Sequence, residues 1–162
     1  MTITAPLFQL SPEQGDPPPV DIIQIDPVGF PDGGVFTEVA ETLVAGFRAL
    51  GYAAEHRLNV CRIGVPTIVL GAHLIQPRDF DVFPAGAIVY NLEQVRPGAW
   101  AAHPDYLRIL ATHTVWDCDA TSVQEIVAAT GNTDVHHVAI GFVPELARIV
   151  PAPDQDIDVL FY

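Results

Sequence analysis

The chain has 162 residues and a net charge of −13, and all seven of its basic residues are arginine. So negative a surface repels phosphate backbones and anionic membranes, and we expect neither a nucleic-acid nor a membrane partner. Hydrophobic residues make up 49% and charged residues 17%, a composition typical of one globular domain.

The two cysteines, Cys61 and Cys118, are too few and too isolated for a disulfide framework or a zinc site. We therefore expect free thiols in a reducing compartment. The N-terminus lacks the basic and apolar regions of a secretory signal, and no apolar run reaches the roughly 20 residues of a membrane helix. These observations predict a cytoplasmic protein.

Residues 1–19 end in three consecutive prolines and predict an extended tail, because proline interrupts helices and internal strands. From residue 20 to residue 155, β-rich runs alternate with amphipathic segments, which predicts one Rossmann-like α/β domain. Strands are predicted at residues 20–25, 52–58, 66–70, 87–90, 114–116 and 135–140, and helices at residues 35–50, 104–111 and 119–129.

The alternation of strands and helices predicts a mostly parallel sheet with helices on both faces. The runs PTIVL (66–70) and AIVY (87–90) are apolar throughout, as expected of strands buried on both faces. In open parallel sheets, ligands bind beyond the carboxyl ends of the strands. The loops that follow the strands are therefore where functional residues are expected.

The first of these loops, residues 26–34, places Gly33 and Gly34 directly before the first predicted helix. Glycines let backbone N–H groups approach a ligand, and a helix start offers unpaired N–H groups to a phosphate. The spacing is neither the dinucleotide fingerprint nor a P-loop. A tight turn without a ligand is the alternative interpretation.

Two further strands are followed by residues that could carry out proton transfer. His73 follows the strand at 66–70, and Asn91 and Glu93 follow the strand at 87–90. His73 and Glu93 are candidate general bases, and Asn91 and Glu93 could also bind sugar hydroxyls. The structural alternatives are a His73 bonded to a loop carbonyl and a Glu93 that caps a helix or pairs with Arg96.

The remaining polar residues at strand ends favour structural roles. Neighbouring strand residues face opposite ways, so His136 and His137 cannot chelate one metal ion, and no metal site is predicted. Asp119 is a candidate cap for the helix that follows. Ser122 is a second candidate cap, because Glu125 stands at the capping-box spacing from it.

Three segments, followed by a fourth, occur in a recognisable order: IVYNLEQ (88–94), YLRILATHTVWD (106–117), IGFVPEL (140–146) and then DIDVLFY (156–162). They resemble the acceptor-side, N-terminal domain of bacterial GT-B-fold glycosyltransferases of the family-1-like group. The resemblance covers residues 60–162 and departs at Cys118, where the family usually has an aromatic residue. It implies two Rossmann-like domains facing across a cleft, with the acceptor in the first and most of the nucleotide-sugar site in the second.

On this resemblance, residues 156–162 are the strand that would open the donor domain, and the chain lacks the rest of that domain. The expected function is the acceptor-side half of a hexosyltransferase-like enzyme, inactive alone, with a sugar or glycan acceptor. No resident cofactor is expected, and the nucleotide sugar enters as the donor substrate. The residues expected at the site are His73 and Glu93 for catalysis, and Gly33, Gly34, Asn91, Gln94, Asp117, Phe142 and Glu145 for substrate binding.

Two other interpretations stay open. The chain could be a non-catalytic binding or interaction module that keeps the fold and pairs with a partner, or with itself, through the strand at 156–162. It could also be a flavodoxin-like or receiver-type domain. The receiver version needs a lysine, which the chain lacks.

Overall fold

The computed structural model describes residues 16–31, 33–99 and 101–148. Most of the predicted tail and the predicted strand at residues 156–162 lie outside the described residues. Six strands are described, β1 (Pro19–Gln24), β2 (Ala53–Leu58), β3 (Thr67–Leu70), β4 (Ile88–Asn91), β5 (Thr114–Asp117) and β6 (Val135–His137), together with three α-helices, α1 (Thr37–Ala49), α2 (Pro104–Thr112) and α3 (Ala120–Thr130).

The six strands form one sheet in the order β2-β1-β3-β4-β5-β6, and all neighbouring strands are parallel. The predicted α/β class and the single Rossmann-like domain are confirmed. The chain first winds from β1 outward to β2, and then returns to the other side of β1 to continue with β3. This reversal creates a topological switch point between β1 and β3, where ligands commonly bind in such sheets.

The helices cover both faces of the sheet, as predicted. Helix α1 packs on one face, where Ile22 and Leu70 are fully buried beneath it. Helices α2 and α3 pack on the other face, over Val89 and Val115. Alternate residues of the central strands β3 and β4 therefore enter two separate apolar clusters, which explains why the runs at 66–70 and 87–90 are apolar throughout.

Two predictions near the end of the described sheet differ from the structure. Strand β6 has three residues rather than the predicted six, because its neighbour β5 ends at Asp117 and the last connecting bond runs from Val138 N–H to the Asp117 carbonyl (2.8 Å). The capping box that begins at Ser122 is wrong. Asp119 caps α3 instead, since its Oδ1 accepts a hydrogen bond from the Thr121 N–H (2.7 Å).

Among the described residues there are also four short 3₁₀ helices, at Gly33–Phe36, Ala72–Leu74, Pro77–Val82 and Pro144–Leu146. The first replaces the opening turn of the predicted helix at 35–50, so that α1 proper begins at Thr37. The second carries His73 and follows β3 directly. The third lies near the switch point and forms one wall of the groove described below.

Candidate functional site

The ends of β4 and β5 are joined by a buried network of polar side chains. Asn91 and Asp117 are paired in the sheet register, and each is about 1% exposed. Asn91 Nδ2 donates to Asp117 Oδ2 (2.6 Å) and to the Glu93 carbonyl (2.8 Å). Asn91 Oδ1 accepts from the Tyr106 hydroxyl (2.6 Å) and the Glu93 N–H (3.2 Å). The amide group of Asn91 is thus occupied within the protein.

Asp117 is satisfied in the same way. Its carboxylate also accepts hydrogen bonds from Ser122 Oγ (2.8 Å) and from the Asp119 N–H (2.7 Å). Burial, followed by the charges of Asp117 and Glu93, raises the pKa of Tyr106 well above its ordinary value, so its hydroxyl stays protonated and can donate. The network ties α2 and α3 to the strand ends, and a substrate-binding role of Asn91 or Asp117 stays a prediction.

His73 lies in the same region, at the end of β3. Its ring packs edge-on against Phe36 (5.9 Å between ring centroids) and Tyr106 (5.7 Å), and its side chain is only 3% exposed. His73 Nε2 is 3.9 Å from Glu93 Oε1. The structure therefore brings together the two residues that were predicted to be catalytic, from two different strand ends.

The pKa of His73 is lowered to about 4, because burial disfavours the imidazolium and His103 adds to this effect. These effects outweigh the neighbouring Glu93 carboxylate, which by itself would favour the charged ring. At neutral pH His73 is therefore neutral and a weak base. Glu93 is the more accessible of the two, with 24% of its side chain exposed.

His103 belongs to this region and was not predicted. Its Nδ1 accepts a hydrogen bond from the Tyr106 N–H (3.3 Å) and so caps α2. Its Nε2 lies 3.2 Å from the His73 carbonyl oxygen, to which it donates when Nδ1 is the acceptor. The available sequence signal was Pro104 at the first helical position, which marks the preceding residue as a cap.

The other predicted residues are dispersed. Gly33 and Gly34 begin the 3₁₀ helix that ends at Phe36, whose ring contacts His73. Gln94 is exposed and follows Glu93 in the chain. Phe142 is 77% exposed after β6.

Glu145 lies in a separate groove beside α1 with Arg48 and His56. His56 Nε2 is buried there without a hydrogen-bond partner in the described residues.

A groove of about 490 Å³ lies at the switch point between β1 and β3. Ile23 and Val69 line it from the sheet, Ile25 follows β1, and the chain after His73 provides Leu74 and Ile75. None of the predicted site residues lines this groove. Its apolar residues could not be distinguished from core residues in the sequence, and the switch point is defined only once the strand order is known.

One edge of the groove is held by a reciprocal pair of hydrogen bonds. Asn59 Oδ1 accepts from the Asp26 N–H (2.8 Å), and Asn59 Nδ2 donates to the Asp26 carbonyl (2.7 Å). Asn59 has a φ of 56°, the only positive φ outside glycine in the described residues. Asparagine tolerates this left-handed conformation better than most residues, and strained positions of this kind cluster at functional sites.

Comparison with protein-family models, curated proteins and solved structures finds no match to this chain. Among the described residues, no group of three histidine, cysteine or acidic side chains could hold a metal ion. No helix in the described ranges is long and apolar enough to span a bilayer.

Proposed function

We propose that this chain is the acceptor-side domain of a nucleotide-sugar-dependent glycosyltransferase, and that it needs a donor-side domain for activity. The proposal is supported by the order of the segments at 88–94, 106–117 and 140–146. The observation that carries it is the approach of His73 Nε2 to Glu93 Oε1 at 3.9 Å, at the carboxyl edge of a parallel sheet.

In the proposed reaction, an acceptor hydroxyl attacks the anomeric carbon of the donor sugar. The new C–O bond forms as the bond to the diphosphate breaks, and the nucleoside diphosphate leaves with the electron pair. The hydroxyl proton passes to a base, for which Glu93 is the candidate because its carboxyl group is partly exposed, whereas His73 is buried. Neutral His73, packed between Phe36 and Tyr106, holds the carboxylate in position.

The need for a second domain follows from the negative charge of the chain and from its resemblance to two-domain glycosyltransferases. Gly33 and Gly34 are the residues that would face the donor diphosphate. A chain of net charge −13 without lysine offers few cations to a free nucleotide sugar. Most of the donor's binding energy would therefore come from the second domain.

The test is glycosyl transfer and calorimetric donor binding by the chain alone, with UDP-[¹⁴C]glucose and a panel of methyl glycosides. We expect no transfer and no donor binding below millimolar concentration. Turnover by the isolated chain, or micromolar binding of UDP-glucose, would overturn the division between acceptor and donor domains. A yellow preparation with bound flavin would overturn the transferase assignment itself and favour the flavodoxin-like interpretation.

The second candidate function is a non-catalytic interaction module, which two observations favour. The polar groups of Asn91 and Asp117 are engaged within the protein, and β6 is an edge strand of the described sheet. Exposed apolar residues, Ile140 and Phe142, follow that edge. Edge strands with apolar flanks favour pairing with another chain. If the chain associates through this edge, light scattering should show a dimer for the wild type and a monomer for Phe142→Ser. A monomer for both proteins would exclude self-association through this edge.

A further inference from the structure

We propose that the groove at the switch point binds a small molecule made of an apolar ring system and a protonated amine. The groove measures about 490 Å³, within the range of roughly 300–1,000 Å³ that is usual for small-molecule sites. Its lining includes none of the residues assigned to glycosyl transfer. This proposal therefore does not depend on the proposed function.

The apolar part of the ligand is set by the floor of the groove. Ile23 and Val69 line it from the sheet, and Val82 and Phe83 line it from the segment after β3. No described α-helix lines this part of the groove. A flat hydrocarbon ring can therefore lie against the aliphatic side chains of the strands and exclude water from them.

The shape of the groove is held before a ligand arrives. The Asn59 side chain joins the loop after β2 to the backbone of Asp26 after β1, through hydrogen bonds of 2.8 and 2.7 Å. Asn59 is in the left-handed conformation, and both polar atoms of its amide bond to that backbone. A fixed edge of this kind lowers the entropic cost of binding, because less of the protein has to be ordered by the ligand.

The charge of the ligand follows from the ionic groups that line the groove. Arg78 and Asp79 pair with each other (Nε to Oδ2, 3.6 Å) and largely cancel. Asp26 also lines the groove, and no described arginine lies within salt-bridge distance of its carboxylate. The ionic residues of the lining, Asp26, Arg78 and Asp79, therefore carry one net negative charge, on a chain whose net charge is −13. An ammonium group is favoured there, and a carboxylate or phosphate is repelled.

Three naphthalene probes of equal size test this proposal: 2-naphthylmethylamine, 2-naphthalenemethanol and 2-naphthoate, measured by isothermal titration at pH 7. We expect saturable binding of the amine, about tenfold weaker binding of the alcohol, and the weakest binding for the naphthoate. The Asp26→Asn variant should bind the amine no better than the alcohol. Equal affinity of the wild-type chain for all three probes, or no binding of the amine, would overturn the proposal.

The position of the site is tested with two exposed residues that tolerate substitution. Val82 is 72% exposed and lines the groove, so Val82→Trp should weaken binding of the amine at least tenfold. Ile63 is 103% exposed and does not line the groove, so Ile63→Trp should bind like the wild type. Equal affinities in the two variants would show that the amine binds elsewhere and would refute the assignment.

The two thiols give an independent measure of occupancy. Cys61 is exposed and lines the groove, whereas Cys118 is half-buried beside Asp117, and burial raises the pKa of its thiol. The amine should slow the alkylation of Cys61 by N-ethylmaleimide several-fold and leave Cys118 unchanged, as read by mass spectrometry. Unchanged Cys61 reactivity at saturating amine would contradict the proposal.

Discussion

Asn91 Nδ2 donates a hydrogen bond of 2.6 Å to Asp117 Oδ2, and this bond links the carboxyl ends of β4 and β5. Both residues are about 1% exposed, and Tyr106 from α2 and Ser122 from α3 bond to the same pair. Two adjacent strands and the two helices on one face of the sheet are therefore joined at one point. The sheet edge that carries His73 and Glu93 is built on this junction.

Truncation of Asn91 should be costly. Asn91→Ala leaves the Tyr106 hydroxyl and the Asp117 carboxylate without a shared partner, and we expect a loss of about 2–4 kcal/mol in the free energy of unfolding. Ser122→Ala removes one bond to Asp117 and should cost about 1 kcal/mol. Urea denaturation of both variants measures the difference. Equal losses in the two variants would show that Asn91 is not the centre of the network.

The titration of His73 should make the fold less stable in mild acid. An unfolded histidine binds its proton near pH 6.5, whereas the pKa of folded His73 is about 4. Below pH 6.5 the unfolded chain is therefore more protonated, so the free energy of unfolding falls as the pH drops to 4. The expected contribution is about 3 kcal/mol over this window.

The His73→Gln variant isolates this contribution. Other groups titrate equally in both proteins, so the difference between the wild-type and variant stabilities should change by about 3 kcal/mol between pH 6.5 and pH 4. The measurement is chemical denaturation at a series of pH values. A difference that is constant over this range would mean that His73 titrates normally in the folded protein.

Gly71, between β3 and His73, should not tolerate a side chain. Its φ is +74°, and a Cβ would lie 3.1 Å from the Ile25 carbonyl oxygen and 3.2 Å from the Phe36 ring. Gly131 at the end of α3 has nearly the same φ, +73°, with nothing within 4 Å of an added Cβ. We expect Gly131→Ala to cost about 1 kcal/mol from backbone strain alone, and Gly71→Ala about 1–3 kcal/mol more from crowding. Thermal melts of the two variants compare these losses, and similar values would contradict the close packing at His73.

The buried carboxylate of Asp21 in β1 should depend on its two arginines. It lies 3.1 Å from Arg57 Nε and 2.6 Å from Arg62 Nη2. Burial raises the pKa of Asp21, but the hydrogen bonds from Arg62 and Arg57 more than offset this and lower it overall. Replacing both arginines with methionine leaves a buried charge and should cost about 3–5 kcal/mol in denaturant unfolding.

Glu55 provides the matched control, because it pairs with the same two arginines near the surface. Glu55→Gln should change the free energy of unfolding by less than about 0.5–1 kcal/mol, the usual contribution of an exposed ion pair. If Glu55→Gln were as unstable as the double arginine variant, the stabilising contact of the two arginines would be with Glu55 rather than with Asp21.

The class of fold could be predicted from the sequence because it depends on local patterns. Apolar runs such as residues 66–70 alternate with segments of helical periodicity, and this alternation alone predicts a parallel sheet covered on both faces. The order of the strands depends on contacts between distant residues. The switch point between β1 and β3, and the groove beside it, therefore became visible only in the structure.

The candidate site was predictable in part for the same reason. Strand ends can be located from the sequence, so His73, Glu93, Asn91 and Asp117 were all identified and all lie at the expected edge. Their bonding could not be predicted, because Asn91 and Asp117 are 26 positions apart along the chain. Glu145 was selected from the loop after the last predicted strand and by resemblance, and the structure places it in a different groove.

The acceptor-side assignment is tested most directly by nuclear magnetic resonance of the ¹⁵N-labelled chain, titrated with the methyl glycoside panel and separately with UDP-glucose. The assignment predicts that at least one glycoside shifts the backbone amides of Glu93 and Gln94, that Glu93→Gln weakens this binding, and that Glu145→Gln does not. UDP-glucose should leave these amides unchanged. Shifts caused by UDP-glucose, or no shift at Glu93 with any glycoside, would contradict it.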